Sequence, residues 1–579
     1  MRSVWLGLMC AAGWLSAAEL PGRYFRLLEA GAAKVEAKLK ASPGATLKTL
    51  EAESGWRHFP YAILAPAVLY AKRHPDNPQA GSEKMRDLAI RIGDLLASES
   101  EKGVYEPRGD SDWDDYMWLE AYRLLSPELS ETRRTRWGRE IAKNIGLLVA
   151  DAQDRVDFPW YNSPYIGTSP NHFALWAANL YLGGKVFGNR QWTELGAKIL
   201  KRFATVEQTT DGYWGEHSRN GPTIGYNHLT LSALAVYFEH SGDRSVLPAL
   251  RRATDFHKHF TFLDGTPVDV INDRNRHWGV SAWSQFAFSH FADGRGYARF
   301  LAGFFEPAQL TIDAVGRLAQ DALYFHEGPV EESAPRLKRY SYRMQQAPAG
   351  VRKDGDWQVA LSGLIDTQAI NSRFYLDRQG HVSVFHQKAG LIITGANSKR
   401  QPELATFTEL AGGTAVHMPL SSRLQMGERG EDRLSLAYNT FFSDLYVRAG
   451  EGDTVSLRFV ISGRGTPGPD TRLNLQLCLK AGEAIETGSG KRVVLGADRV
   501  ELKALDLQGR LAHHGWILEV PADASLTWPV YPHNPYADAP ETNLAYAVGR
   551  LTLPLPLQAR KGKYVRANEL ERVFRVRVP

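Results

Sequence analysis

Apolar residues recur every three or four positions from about residue 25 to about residue 325, and from about residue 350 onward they alternate. The first rhythm lays an apolar stripe along a helix, and the second gives a strand one apolar face. Helical spacing runs through PYAILAPAVLYAKRH (60–74), MRDLAIRIGDLLASE (85–99), DYMWLEAYRLL (115–125) and RWGREIAKNIGLLVADAQ (136–153). It continues in HFALWAANLYLGGKVFG (172–188), QWTELGAKILKRFATVEQ (191–208), HLTLSALAVYFEHSG (228–242) and SVLPALRRATDFHKHF (245–260), with a last group over 280–303 and 306–324. These segments come in pairs across short Gly/Asp/Pro loops. That predicts helical hairpins stacked about a centre, an (α/α) toroid.

Alternation marks GHVSVFHQKAGLIITGA (380–396), DTVSLRFVISG (453–463), RLNLQLCLKAG (472–482), KRVVLGADRVELKALDL (491–507), HGWILEVPAD (514–523) and ERVFRVRV (571–578). So many short strands with Gly, Asp and Asn turns predict a β-sandwich or large antiparallel sheet. The fold class expected is therefore multidomain, α then β. An N-terminal (α/α) toroid of helical hairpins covers residues 19–325, and a charged, proline-bearing linker covers 326–350. A C-terminal antiparallel β-sandwich covers 351–579.

Residues 1–18 read as a signal peptide, with Arg2 ahead of an apolar run from Val4 to Leu15 and Ser16-Ala17-Ala18 at the cleavage site. This implies a periplasmic or secreted protein. Removing the segment leaves Cys478 as the single cysteine, so no internal disulfide is expected. A net charge of +5 leans weakly toward anionic partners. No basic run interleaved with aromatics is present, which argues against nucleic acid, and no later segment is apolar enough to cross a membrane. Oligomeric state is not legible.

Polar residues gather at three helix starts. In SPNHFALWAANLYLGG (169–184), Ser169 can cap and Pro170 suits the first turn, yet Asn171 and His172 follow directly before the apolar run. In TTDGYWGEHSRNGPTIGYNHLTLSALAVYF (209–238), Asp211, Glu216, His217, Arg219 and Asn220 lead into Tyr226-Asn227-His228. Such a loop is either a well-bonded connection capped by Asn227 or a functional loop held on rigid helices. In a toroid, helices two apart in sequence run the same way, so Asn171, His172 and Tyr226 would converge on one mouth where helix dipoles favour an anion. DVINDRNRHWG (269–279) adds Arg274 and His277, either as a carboxylate or sulfate fork or as a surface loop with ion pairs. Upstream, RGDSDWDDYMWLEAY (108–122) carries Trp113 among Asp110, Asp112, Asp114 and Asp115, acids suited to capping. In the β half, His381 and His386 are five apart, on opposite faces of a strand, and cannot share a metal. Either is a structural strand histidine or faces the mouth. No P-loop or GxGxxG phosphate cradle stands out, no HExxH or GxSxG is present, and His257 and His259 stand alone in FHKHF.

The pair opening PNHFALWAANLYLG, the DGYWGEHSRNGPTIGY segment and the order of the two halves resemble the heparinase II/III-like polysaccharide lyases and their alginate-lyase relatives. The resemblance covers most of the chain after residue 18, through short, degenerate motifs; Phe173 stands where many members have Gly. It implies an α/α toroid followed by an antiparallel β domain, and β-elimination on a uronic-acid-containing anionic polysaccharide. It implies Tyr226 as acid, and also as base in a syn elimination, with His172 or His386 as base in an anti one. Asn171, with Arg274 or a histidine, would neutralise the uronate carboxylate, and Glu216, Arg219, His277 and Trp113 would contact substrate. No metal or organic cofactor is required. Two other readings stand. One is a toroid glycoside hydrolase pairing Glu216 with Asp112 or Asp273. The other is a non-catalytic glycan binder using Trp113, Trp160 and Trp214.

Overall fold

The structure is a computed structural model. It describes residues 20–579 apart from 55–58, 106–111, 157–169, 217–220, 273–282, 366–379, 396–400, 412–413, 429, 451–452, 465–469, 535–536 and 558–568. Residues 1–18, read above as a signal peptide, lie outside the described residues.

The helices follow in chain order: α1 (Leu20–Ala41), α2 (Leu47–Ser54), α3 (Leu64–Ala71), α4 (Glu83–Glu101), α5 (Asp112–Leu125), α6 (Glu131–Gly146) and α7 (Leu148–Arg155). Then come α8 (Pro170–Phe187), α9 (Arg190–Arg202), α10 (Ile224–Ser241), α11 (Leu247–His259), α12 (Gln285–Phe288), α13 (Ala292–Ala302) and α14 (Ile312–Tyr324). Helices α3, α5, α8, α10, α12 and α14 each pack on the next, and α14 returns to α3, which closes an inner ring. Helices α1, α4, α6, α9, α11 and α13 lie outside it, and α1 bridges α13 and α14 across the seam. The expected toroid is what these contacts build.

The two layers differ in sequence for a physical reason. Inner helices are covered on every side, so α8 and α10 are buried along nearly their whole length. Outer helices bury one stripe, as α9 does with Gly196, Ile199 and Leu200. Gly196 is required there: a Cβ would stand 2.5 Å from the Ala177 carbonyl oxygen of α8.

The closing helix carries a buried acid. Asp321 Oδ1 accepts from the Phe286 N–H at 2.9 Å, and burial pushes its carboxyl up to about 8. It is therefore protonated in the folded protein at neutral pH, whereas an unfolded aspartate titrates near ~4. The stability tied to this protonation is complete below about pH 4 and is lost as pH rises through about 8. Urea unfolding across that window is expected to show stability falling with pH, and Asp321→Asn is expected to flatten the slope. An unchanged slope in the variant would contradict this.

The β half forms two large antiparallel sheets. One runs β1 (Arg339–Arg343), β2 (Ala349–Asp354), β3 (Trp357–Ser362), β4 (Val382–His386) and β5 (Gly390–Thr394), then strands Thr471–Leu477, Val548–Pro554, Ser525–Val530 and Val500–Leu502. The other centres on Phe441–Ala449, Thr454–Gly463 and Glu569–Arg577. Their inner faces share one core, including Val359, Val384, Leu445, Phe459 and Phe574. Strand β1 and the start of β2 fall within residues 326–350, so the second half of the segment expected to be a linker already takes part in the sheet.

Strands β3 and β4 are buried on both faces. Trp357, Val359, Leu361, Val382 and Val384 point into the sandwich. Ala360 and Phe385 point the other way, into an apolar layer with Phe256, Phe260, Phe262, Val268 and Ile271 of the toroid. Phe262 and Phe385 stack there at 4.8 Å. Buried polar bonds lock the same contact. Asp269 accepts from Ser383 Oγ at 2.6 Å and from the Gly395 N–H at 2.8 Å. Asp211 accepts from the backbone N–H groups of Gln345, Gln346 and Ala347.

Candidate active site

The first turn of α8 and the approach to α10 meet. Asn171 is buried, and its Nδ2 donates to Glu216 Oε1 at 3.3 Å and Oε2 at 3.2 Å. Glu216 is held beside the start of α10 because its neighbour Gly215 forms an antiparallel bridge with Pro222, two residues before the helix. Asn227 ties the other side. Its Oδ1 accepts from the Trp214 N–H at 2.7 Å, and its Nδ2 donates to the carbonyls of Trp214 and Thr223, each at 3.1 Å. Asn227 is thus an anchor between loop and helix, and it fixes the turn that presents Tyr226.

Tyr226 is half-buried and packs its ring against the toroid core. His172, in the first turn of α8, is half-buried as well. Both helices are 18 residues long and pack side by side, and the Asn171–Glu216 contact sets their N-termini close together. The loop conformation depends on the Asp211-Gly212 pair. Gly212 has φ +94°, and a Cβ there would stand 2.2 Å from the Arg252 carbonyl oxygen. Asp211 holds the first β hairpin, as above, so one short loop links the sheet to the helix that bears Tyr226.

No family model matches the sequence, and no curated protein matches it. Among solved structures the chain is similar to the chondroitin AC lyase of Streptomyces coelicolor A3 in complex with chondroitin sulphate. That likeness has 12% identity, 97% of this chain and 82% of that chain covered, and a TM-score of 0.49. It is similar also to the heparan sulfate lyase HepC from Pedobacter heparinus, with 13% identity, 90% of this chain and 75% of that chain covered, and a TM-score of 0.45.

The structure brings Asn171, Glu216 and the start of α10 together. It places His386 elsewhere. This histidine has the same parity on β4 as Val382 and Val384, so it points into the sandwich, and its ring lies 4.4 Å from that of Trp357. Burial lowers its pKa, and the Lys388 N–H donates to its Nδ1 at 3.2 Å. A role for His386 at the mouth is corrected accordingly: the toroid lies against the opposite face of the strand. His381 is structural too, bonded to the Ser362 carbonyl and the Tyr438 hydroxyl and pushed down to about 4 by burial.

Trp214 is also corrected as a sugar platform. It is fully buried, and its Nε1 donates to the Phe203 carbonyl at 3.0 Å. Arg219, Arg274, His277, Asp273 and Trp160 lie outside the described residues, as do the side chains of Trp113 and Asp112. His228, next in line after Tyr226 and Asn227, is buried against His257 with ring centroids 4.1 Å apart. Burial pushes it down to about 4, so it is a neutral core imidazole.

Among the described residues, Glu239, His290 and His326 form a cluster that no sequence spacing announced. The three stand far apart in the chain, and only ring closure brings them together.

Proposed function

We propose that the protein is a polysaccharide lyase that cleaves a uronic-acid-containing anionic polysaccharide by β-elimination, with the helix starts of α8 and α10 as its catalytic mouth. The observation that carries this reading is the Asn171–Glu216 contact, which joins the two helix starts and sets the Asn171 amide beside the turn bearing Tyr226. A uronate polymer needs a mouth that tolerates its carboxylate. Two helix N-termini and an amide donor meet that need without a metal.

The chemistry follows from the residue types. The C5 proton of a uronate is weakly acidic while the neighbouring carboxylate is charged. Hydrogen bonds from Asn171, supported by Arg274, would offset that charge as the C5–H bond breaks. The electron pair forms the C4–C5 double bond, the C4–O bond breaks, and a proton goes to the leaving oxygen. Tyr226 is the acid, and serves as base also when both steps occur on one face. His172 is the base when they occur on opposite faces. Glu216 fixes the amide, and Arg219, His277 and Trp113 would contact the substrate, as the resemblance implies. The sequence pattern of residues 1–18 supports export, to the periplasm or beyond.

Glu216 also motivates a second reading, a hydrolase with this carboxylate as one of two catalytic acids. Product mass separates them: elimination products are lighter by one water than hydrolysis products. A substitution at Asn171 tests the mouth itself. Asn171→Asp would set two carboxylates about 3 Å apart, forcing one to hold a proton or both to repel the substrate anion. Its activity is expected to fall by about 10²-fold or more, and further than that of Asn171→Gln. Equal activity in the Asp and Gln variants would remove Asn171 from the carboxylate site.

A further inference from the structure

The geometry points to a zinc-type metal site formed by Glu239, His290 and His326, at the end of the toroid away from the mouth. Glu239 lies in the last turn of α10, His290 between α12 and α13, and His326 two residues beyond α14. One ligand atom from each residue lies within 4.8 Å of the other two. His326 Nε2 is 2.7 Å and His290 Nε2 is 3.4 Å from Glu239 Oε1. Two donors bound tetrahedrally to one zinc ion stand about 3.3 Å apart; the two separations from Glu239 lie on either side of that value, and the ligand nitrogens of the two imidazoles lie within 4.8 Å of each other.

The second observation is at His290. Its side chain is 5% exposed, and its buried Nε2 has no hydrogen-bond partner while it points toward Glu239 and His326. A buried imidazole nitrogen without a partner is costly unless something binds it. The backbone fixes the set: the Ser289 hydroxyl accepts from the His326 N–H at 2.9 Å, and Phe238 packs edge-on against the His290 ring at 5.0 Å.

Two imidazoles and one carboxylate match zinc among common divalent ions, since calcium and magnesium prefer all-oxygen shells. Solvent supplies the fourth ligand, as the His326 side chain is 42% exposed. Two cations stand near, Lys72 toward Glu239 and Arg295 toward His290. Both are engaged elsewhere: Lys72 Nζ donates to the Leu323 carbonyl, and Arg295 donates to the carbonyls of Ser289 and Pro329. Glu239 and Tyr226 are thirteen residues apart on one helix, about 20 Å. The ion is therefore a staple, not a participant in the chemistry of the mouth. It ties three ends of the inner ring where the chain leaves for the β domain.

The test uses tag-free, full-length protein stripped with a chelator and titrated with zinc chloride by calorimetry, with melting temperature in parallel. Wild-type protein is expected to take up one equivalent and to melt several degrees higher with zinc than without. The half-exposed His326→Ala and the shape-preserving Glu239→Gln are each expected to weaken uptake by more than about tenfold while keeping the wild-type helix content. Absence of saturable uptake by the wild type would overturn the site and leave a hydrogen bond between Glu239 and His326. Uptake of equal strength by both variants would overturn it as well, by placing the zinc elsewhere.

Discussion

Tyr226→Phe is expected to lower turnover on a uronate polymer by about 10²–10⁴-fold, the range for loss of a general acid. KM is expected to change little, because the phenyl ring keeps its packing against the toroid core. The same substitution tests position against chemistry. Removing a hydroxyl from a half-buried ring leaves the fold intact, so the melting temperature is expected to stay within a few degrees of wild type. Turnover within a few-fold of wild type would remove Tyr226 from the reaction and leave its ring as core.

The largest expected loss of stability comes from Asp211→Ala. Asp211 is 3% exposed, and its carboxylate accepts backbone N–H groups from three successive residues of the β domain. Truncation strips all three donors of their acceptor where water has little access. At about 1–3 kcal/mol for each buried donor, the loss is on the order of 3–5 kcal/mol once partial rehydration is allowed. Urea unfolding followed by tryptophan fluorescence measures it. The α–β contact is expected to part before the toroid melts, which would split one transition into two. Activity should fall too, because Asp211 and Glu216 share the loop that reaches α10. A loss under about 0.5 kcal/mol would show that the apolar layer around Phe262 and Phe385 holds the domains without this clamp.

Much of the architecture was legible because its elements obey one rhythm over many residues. The run 172–188 is α8 within two residues, and 245–260 is α11 within two. Alternate helices of a ring share a direction, which is why Asn171, His172 and Tyr226 were expected at one mouth; the contact observed is that of Asn171 with Glu216, ahead of the helix that bears Tyr226. Strand β1 was not. RYSYR lies at the sheet edge, with its side chains exposed or half-exposed, so it needs no apolar run and reads as linker. Its tyrosines serve the toroid instead: Tyr340 donates to the His259 carbonyl, and Tyr342 stacks on the His259 ring at 4.1 Å.

His386 shows a different limit. Period-two alternation separates it from His381, but parity alone does not say which face meets a second domain. Phe385, one residue earlier, took the toroid side. The Glu239, His290 and His326 cluster shows a third. Its members come from three helix ends, and local spacing carries no trace of a contact made only when the ring closes.

The central claim is that this mouth performs elimination on a uronate polymer. The most direct measurement is ultraviolet absorbance of the products when purified protein is offered a panel of uronate polysaccharides. Unsaturated uronates absorb there and hydrolysis products do not. The account predicts a rise with at least one polymer that is lost in Tyr226→Phe. New reducing ends without any rise would contradict it and transfer the mouth to a hydrolase built on Glu216.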